Sequence, residues 1–132
     1  SNQAGIARGI LNPNDVERVN KRLKNTLKKE GIEIIDSFVC PHHWDEDCDC
    51  RKPKAGMLFR ASDKYDLCLQ KTVFIGDDIR DMYAAENAGS KGILIGSEIK
   101  NSKNKKDYFK STVDLNTMVD WINKFYSTWD FI

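Results

Sequence analysis

The stretch Lys71–Gly96 reads KTVFIGDDIRDMYAAENAGSKGILIG, and it decides the fold class. KTVFIG (71–76) and KGILIG (91–96) are short, largely apolar runs rich in β-branched residues, which predicts two buried strands. Between them IRDMYAAENAG (79–89) has helical spacing and closes on Gly89. A strand, a helix and a second apolar strand make a parallel βαβ unit, and so an open α/β sheet. Ligands of such sheets bind beyond the carboxyl ends of the strands. That is where Gly76-Asp77-Asp78-Ile79-Arg80-Asp81 falls.

Working outward, Val16, Val19, Leu23 and Leu27 recur every three or four residues. They predict an amphipathic helix over about 14–30, started by Asn12-Pro13-Asn14 and ended by Gly31. IEIIDSFVC (32–40) reads as a strand, Ala55–Leu67 as a helix, NSKNKK (101–106) as a solvated loop and about 115–125 as a closing helix. The 132 residues fit one domain over 1–132. Apolar residues make up 40% and charged residues 31%, with a mean hydropathy of −0.57, so the chain is globular. No run approaches the roughly 20 apolar residues of a membrane-spanning helix. Twenty-one basic and 20 acidic residues give a net charge of +1, which argues for neither nucleic acid nor an anionic membrane as partner.

Three of the four cysteines, and both histidines, lie in the eleven residues CPHHWDEDCDC (40–50). Disulfide scaffolds spread their cysteines, whereas clustering with histidine marks a metal site and a reducing, cytoplasmic compartment. Cys40, His42, Cys48 and Cys50 can close a structural Cys₃His zinc site. His42 is favoured over His43 because it alternates with Cys40. The competing reading is buried thiols and surface histidines. Cys68 stands alone.

Next come Arg51 and Lys52, a fork and a point charge suited to an anion such as phosphate, or else ordinary surface charge. Asp77 and Asp78 suit Mg²⁺ through hard oxygen ligands; the alternative is that one of them caps the following helix. Ser1-Asn2-Gln3-Ala4-Gly5 offers a hydroxyl, two amides and a glycine turn that could cradle phosphate.

Together SNQAGIARG (1–9), CPHH…CDCRKPKAGM (40–57) and IGDDIRDMYAAENAG (75–89) resemble the haloacid dehalogenase superfamily, and within it the D-glycero-D-manno-heptose 1,7-bisphosphate phosphatases. The resemblance runs to about Ile95. It implies a Rossmann-like parallel sheet with a zinc loop (40–54) in place of a cap domain. It also implies a Mg²⁺- and Zn²⁺-containing phosphatase that removes the 7-phosphate of a small sugar bisphosphate in lipopolysaccharide-core biosynthesis, as a monomer. By position, Ser1 matches the hydroxyl that binds the transferring phosphoryl group, with Asn2, Gln3 and Ala4 completing the substrate loop. Lys52 matches the lysine that neutralises phosphoryl charge, Arg51 a substrate-recognition arginine, and Asp77 a magnesium ligand. Cys40, His42, Cys48 and Cys50 match the zinc ligands.

The sequence departs from the family's pattern in three places. The His42–Cys48 loop is short, nearer to histidinol-phosphate phosphatases, which are the alternative within enzymes. Asp78 stands where the heptose branch usually has lysine. No D-x-D-G-T, the superfamily's nucleophile motif, occurs in the 132 residues. The expectation is therefore a domain whose N-terminal strands are missing, by about 30 residues or more, and a chain inactive by itself. A non-catalytic zinc-binding fragment is the rival from another class.

Overall fold

The computed structural model describes residues 1–96 and 109–128. They divide into two compact units, Ser1–Arg51 and Lys52–Ile132.

The second unit holds the sheet. Strands β1 (Val73–Gly76), β2 (Lys91–Ile95) and β3 (Phe109–Thr112) are all parallel, in the order β1-β2-β3. Helix α4 (Ile79–Asn87) carries the chain from β1 to β2 and packs on both, as the βαβ reading requires. Its inner face is small. Ala84 and Ala85 are fully buried beside Met82, so the helix can lie close on Ile93 and Leu94 of β2. Gly89 follows α4 at φ +74°, a conformation that costs a side chain strain. Helix α3 (Gly56–Tyr65) is shorter than the periodicity suggests, because Asp66 turns left-handed at φ 52° and ends it. Cys68 therefore lies outside the helix and is exposed. Helix α5 (Leu115–Ser127) packs against β2 and β3, capped by Asp114, whose carboxylate accepts from the backbone N–H groups of Asn116 and Thr117. It extends two residues beyond the expected end.

Two differences from the sequence-based reading concern the strands of this unit. β1 is only half-buried, with Ile75 43% exposed, because among the described residues it pairs with β2 alone. β3 was not anticipated: Phe-Lys-Ser-Thr is too short and too polar to stand out. The 101–106 loop lies outside the described residues.

The first unit contains α1 (Ala4–Ala7) and α2 (Pro13–Lys29). Asn12 caps α2 by accepting from the Asn14 N–H at 2.9 Å, Pro13 occupies the first turn, and Gly31 follows at φ +76°. Residues 32–39 do not form the expected strand. β-Branched composition favours extension, but a strand needs a ladder partner. Only Cys40 finds one, in an isolated parallel bridge to Asn2, and Ile35 stays 74% exposed.

Candidate active site and metal loop

Ligand spacing brings four donors of the first unit to one point. Cys40 and Cys50 are buried, Cys48 and His42 half-buried, and all three thiols are free. The four donor atoms lie within 4.8 Å of one another. Cys48 Sγ is 3.6 Å from both Cys40 Sγ and Cys50 Sγ; His42 Nδ1 is 3.6 Å from Cys40 Sγ and 3.2 Å from Cys50 Sγ. Zinc–sulfur bonds of about 2.3 Å arranged as a tetrahedron put sulfurs about 3.8 Å apart. The donor set and its spacing therefore fit a closed tetrahedral site. The thiols differ among themselves. Burial pushes Cys48 up, but the backbone at Arg51 and the neighbouring thiols outweigh it and bring it to about 7. Burial first, then the Cys40 and Cys48 thiols, push Cys50 up to about 12. A bound cation removes that barrier by favouring every thiolate.

The same unit holds the N-terminal loop. Gln3 donates its backbone N–H to Cys40 O at 2.8 Å, and Cys40 returns its own to Ser1 O at 2.8 Å. Gln3 Nε2 donates to Ser1 Oγ at 3.1 Å. The Arg51 guanidinium reaches His42 O at 3.5 Å, at the limit of hydrogen bonding. Asn2, Gln3 and Ala4 are half-buried and Ser1 is exposed. Hence the sequence-predicted Ser1–Ala4 loop and the cysteine cluster meet along the backbone.

A second cluster is built wholly within the other unit. Lys52 Nζ pairs with Asp81 Oδ1, and both side chains are largely buried. Asp81 Oδ2 accepts the Asp78 N–H at 3.2 Å, while Asp78 Oδ1 accepts the Arg80 N–H at 2.8 Å, a reciprocal capping box at the start of α4. The Arg80 guanidinium grips the Asp78 carboxylate and holds it well below the usual carboxylate range. Gly76 is required by contact. A Cβ there would fall on the Cβ, Cγ and Oδ2 atoms of Asp81. Asn87 Nδ2, at the far end of α4, donates to Pro53 O at 2.9 Å and anchors the segment that carries Lys52.

The capping alternative thus applies to Asp78 and not to Asp77. Asp77 is exposed at the carboxyl end of β1 and, among the described residues, its carboxylate makes no hydrogen bond or ion pair. Asp81 closes the acidic run read from the sequence, which gave it no role of its own. Its signals were the three-residue spacing from Asp78 and the glycine five positions before it.

A family model described as HAD-hydrolase-like matches residues 49–118. The chain is 35% identical over 124 residues to a D-glycero-α-D-manno-heptose-1,7-bisphosphate 7-phosphatase of Campylobacter jejuni, covering 94% of this chain and 69% of that protein. It is 39% identical over 95 residues to the D-glycero-β-D-manno counterpart of Pseudomonas putida, covering 72% of this chain and 54% of that one. Its fold matches the crystal structure of a D,D-heptose 1,7-bisphosphate phosphatase from B. bronchiseptica, complexed with magnesium and phosphate, at a TM-score of 0.80 and 27% identity. That match covers 93% of this chain and 71% of the other. The chain thus spans from about half to about seven-tenths of the length of the relatives it resembles.

Proposed function

The chain belongs to the HAD-like hydrolases, and from that premise we propose that it serves a Mg²⁺-dependent phosphomonoesterase that removes the 7-phosphate of D-glycero-D-manno-heptose 1,7-bisphosphate. The observation that carries this reading is the Lys52–Asp81 pair beyond the carboxyl end of β1, with Asp81 four residues after the unengaged Asp77. Asp81 and the capping box fix Lys52, so its ammonium meets an incoming phosphoryl group already oriented. Most of phosphoryl transfer is positioning and charge compensation, which is the work these residues can do.

In this reading the Ser1 hydroxyl and the Asn2–Ala4 loop take up phosphoryl oxygens, and Arg51 grips the remainder of the sugar phosphate through its fork. Asp77 is the residue here that would hold Mg²⁺, which when bound offsets negative charge on the transferring group. Cys40, His42, Cys48 and Cys50 would hold Zn²⁺ with no open position, a structural role. The superfamily's attacking carboxylate belongs to D-x-D-G-T, so no residue of 1–132 is assigned that step. A single phosphatase domain over 1–132, without the nucleophile segment, a monomeric state and a cytoplasmic location belong to the same proposal.

The full-length protein, assayed for phosphate release, tests it. Mg²⁺-dependent conversion of the heptose 1,7-bisphosphate to the 1-phosphate is the expected result, with Lys52→Ala lowering kcat by roughly 10²-fold or more. Faster turnover of histidinol phosphate would transfer the activity to that substrate. No hydrolysis of either by a metal-replete protein would leave a non-catalytic zinc-binding module.

A further inference from the structure

The metal loop touches the N-terminal segment at more than the Asn2–Cys40 bridge. Ala7, the last residue of α1, donates its N–H to Pro41 O at 3.2 Å. Arg8, which caps α1, lays its guanidinium over the Trp44 ring, 5.6 Å from the centroid. Trp44 is 60% exposed, so packing does not account for its position. It is held locally instead. The His43 ring lies against it at 3.7 Å between centroids, His43 N–H donates to Glu46, and His43 Nδ1 contacts Asp45. Trp44 also lies between the two ligand pairs, Cys40 and His42 before it, Cys48 and Cys50 after it. Where the loop tip stands therefore depends on whether the four donors are drawn together.

On the other side of these contacts is a short, stiff lever. α1 is four residues long and joins Arg8 directly to Ala4 and Gln3. The segment is held to the loop at both ends, by the Cys40 bonds to Ser1 and Gln3 and by the Trp44–Arg8 contact. A displacement of the loop has to move Ser1–Ala4 with it.

We propose that metal occupancy at Cys40, His42, Cys48 and Cys50 and anion binding at Ser1–Ala4 are thermodynamically coupled, through the Cys40 bonds and the Trp44–Arg8 latch. This rests on the reading of Ser1–Ala4 as a phosphoryl-binding loop. Trp44 and Arg8 are positioning residues in it. Coupling of this kind is reciprocal: whatever factor the metal adds to anion affinity, the anion adds to metal affinity.

The first test needs no anion. Amide hydrogen exchange is measured in the full-length protein, loaded with one equivalent of zinc and stripped by chelator. Stripping should raise exchange at Gln3, Ala7 and Cys40 by about tenfold or more, with Ile93 and Leu94 of β2 unchanged as a control on folding. Trp44→Ala, still carrying its zinc, should raise exchange at Ala7 by about two- to fivefold, with Trp44→Phe in between. The second test titrates inorganic phosphate. The loaded protein should bind it several-fold more tightly than the stripped one, phosphate should slow zinc release, and Trp44→Ala or Arg8→Gln should shrink that factor.

Unchanged exchange at Gln3 and Ala7 on zinc removal would overturn the proposal. So would equal phosphate affinity with and without zinc, or a coupling factor untouched by both latch variants. If exchange responds to zinc but neither form binds phosphate, the Ser1–Ala4 reading is at fault and the coupling falls with it.

Discussion

The cysteine loop and the start of α4 are both clusters of ionisable side chains, yet they are held together in opposite ways. At α4 every carboxylate except Asp77 has a partner within the chain: Asp81 has Lys52 and the Asp78 N–H, and Asp78 has Arg80 and the helix backbone. That cluster is complete as a piece of protein. The cysteine loop brings three thiols and an imidazole to tetrahedral spacing, and thiols are poor hydrogen-bonding partners for one another. In the proposed reading its side-chain cohesion would come from a cation. The contrast separates a cluster held by its own salt bridge from one whose donors fit an added cation.

Removing the cation is the largest way to break that contrast. Structural zinc in small peptides contributes about 10–16 kcal/mol of apparent binding free energy near neutral pH. Cys50→Ser should therefore drop metal content well below one equivalent and expose residues 40–51 to proteolysis, while the β1–α4 unit keeps its exchange protection. Simultaneous loss of protection in both units would show that they do not differ in this way.

Lys52→Ala comes next. It leaves the Asp81 carboxylate buried with one backbone donor, and losing one partner of a buried pair costs about 3–5 kcal/mol. Denaturant unfolding should show that loss alongside the fall in turnover. A stable variant with unchanged midpoint would mean that Asp81 is solvated after all.

Gly76→Ala pushes on the same pair sterically. Overpacking of this kind costs about 1–3 kcal/mol, and it should cost turnover as well, since Asp81 must shift and Lys52 with it. A variant with parental kinetics would show that Asp81 has room to move.

Asp78→Ala should remove about 1 kcal/mol, the usual worth of a helix cap. The sign of its pH dependence is fixed by the side-chain hydrogen bond from Arg80, which depresses the folded-state pKa. The contribution is present above the unfolded value of about 3.9 and fades as pH falls below it. Asp78→Asn should flatten stability against pH on the acid side, and an identical acid limb in variant and parent would refute this.

Asp77→Asn should have the smallest effect on folding, within about 0.5 kcal/mol, as for an exposed group without partners. Its effect should appear only in the Mg²⁺ concentration needed for half-activity. A large stability change would make Asp77 structural.

The parts legible in the sequence are those set by local spacing. Val73–Gly76, α4 and Lys91–Ile95 were readable because two short continuous apolar runs flank a segment of helical spacing within 26 residues. The four-donor cluster was readable because C-x-H and C-x-C each present two donors from one turn. The segment 32–39 misled for a complementary reason: its composition favours extension, and nothing in a one-dimensional pattern reports whether a neighbouring strand is there to pair with it.

What the sequence determined by itself is the βαβ order, the donor set and the acidic run after β1, because each is set by residues within one stretch of 26 or fewer. What only the tertiary structure decided is which acid does which work. Asp77, Asp78 and Asp81 look alike as letters. The close approach of Asp81 to Gly76 and its pairing with Lys52, 29 residues away, make it the anchor; the helix start makes Asp78 the cap; and Asp77 is left outside both. The meeting of Trp44 with Arg8 is of the same kind. Side-chain partners distant in the chain are chosen by packing, and packing is a property of three dimensions.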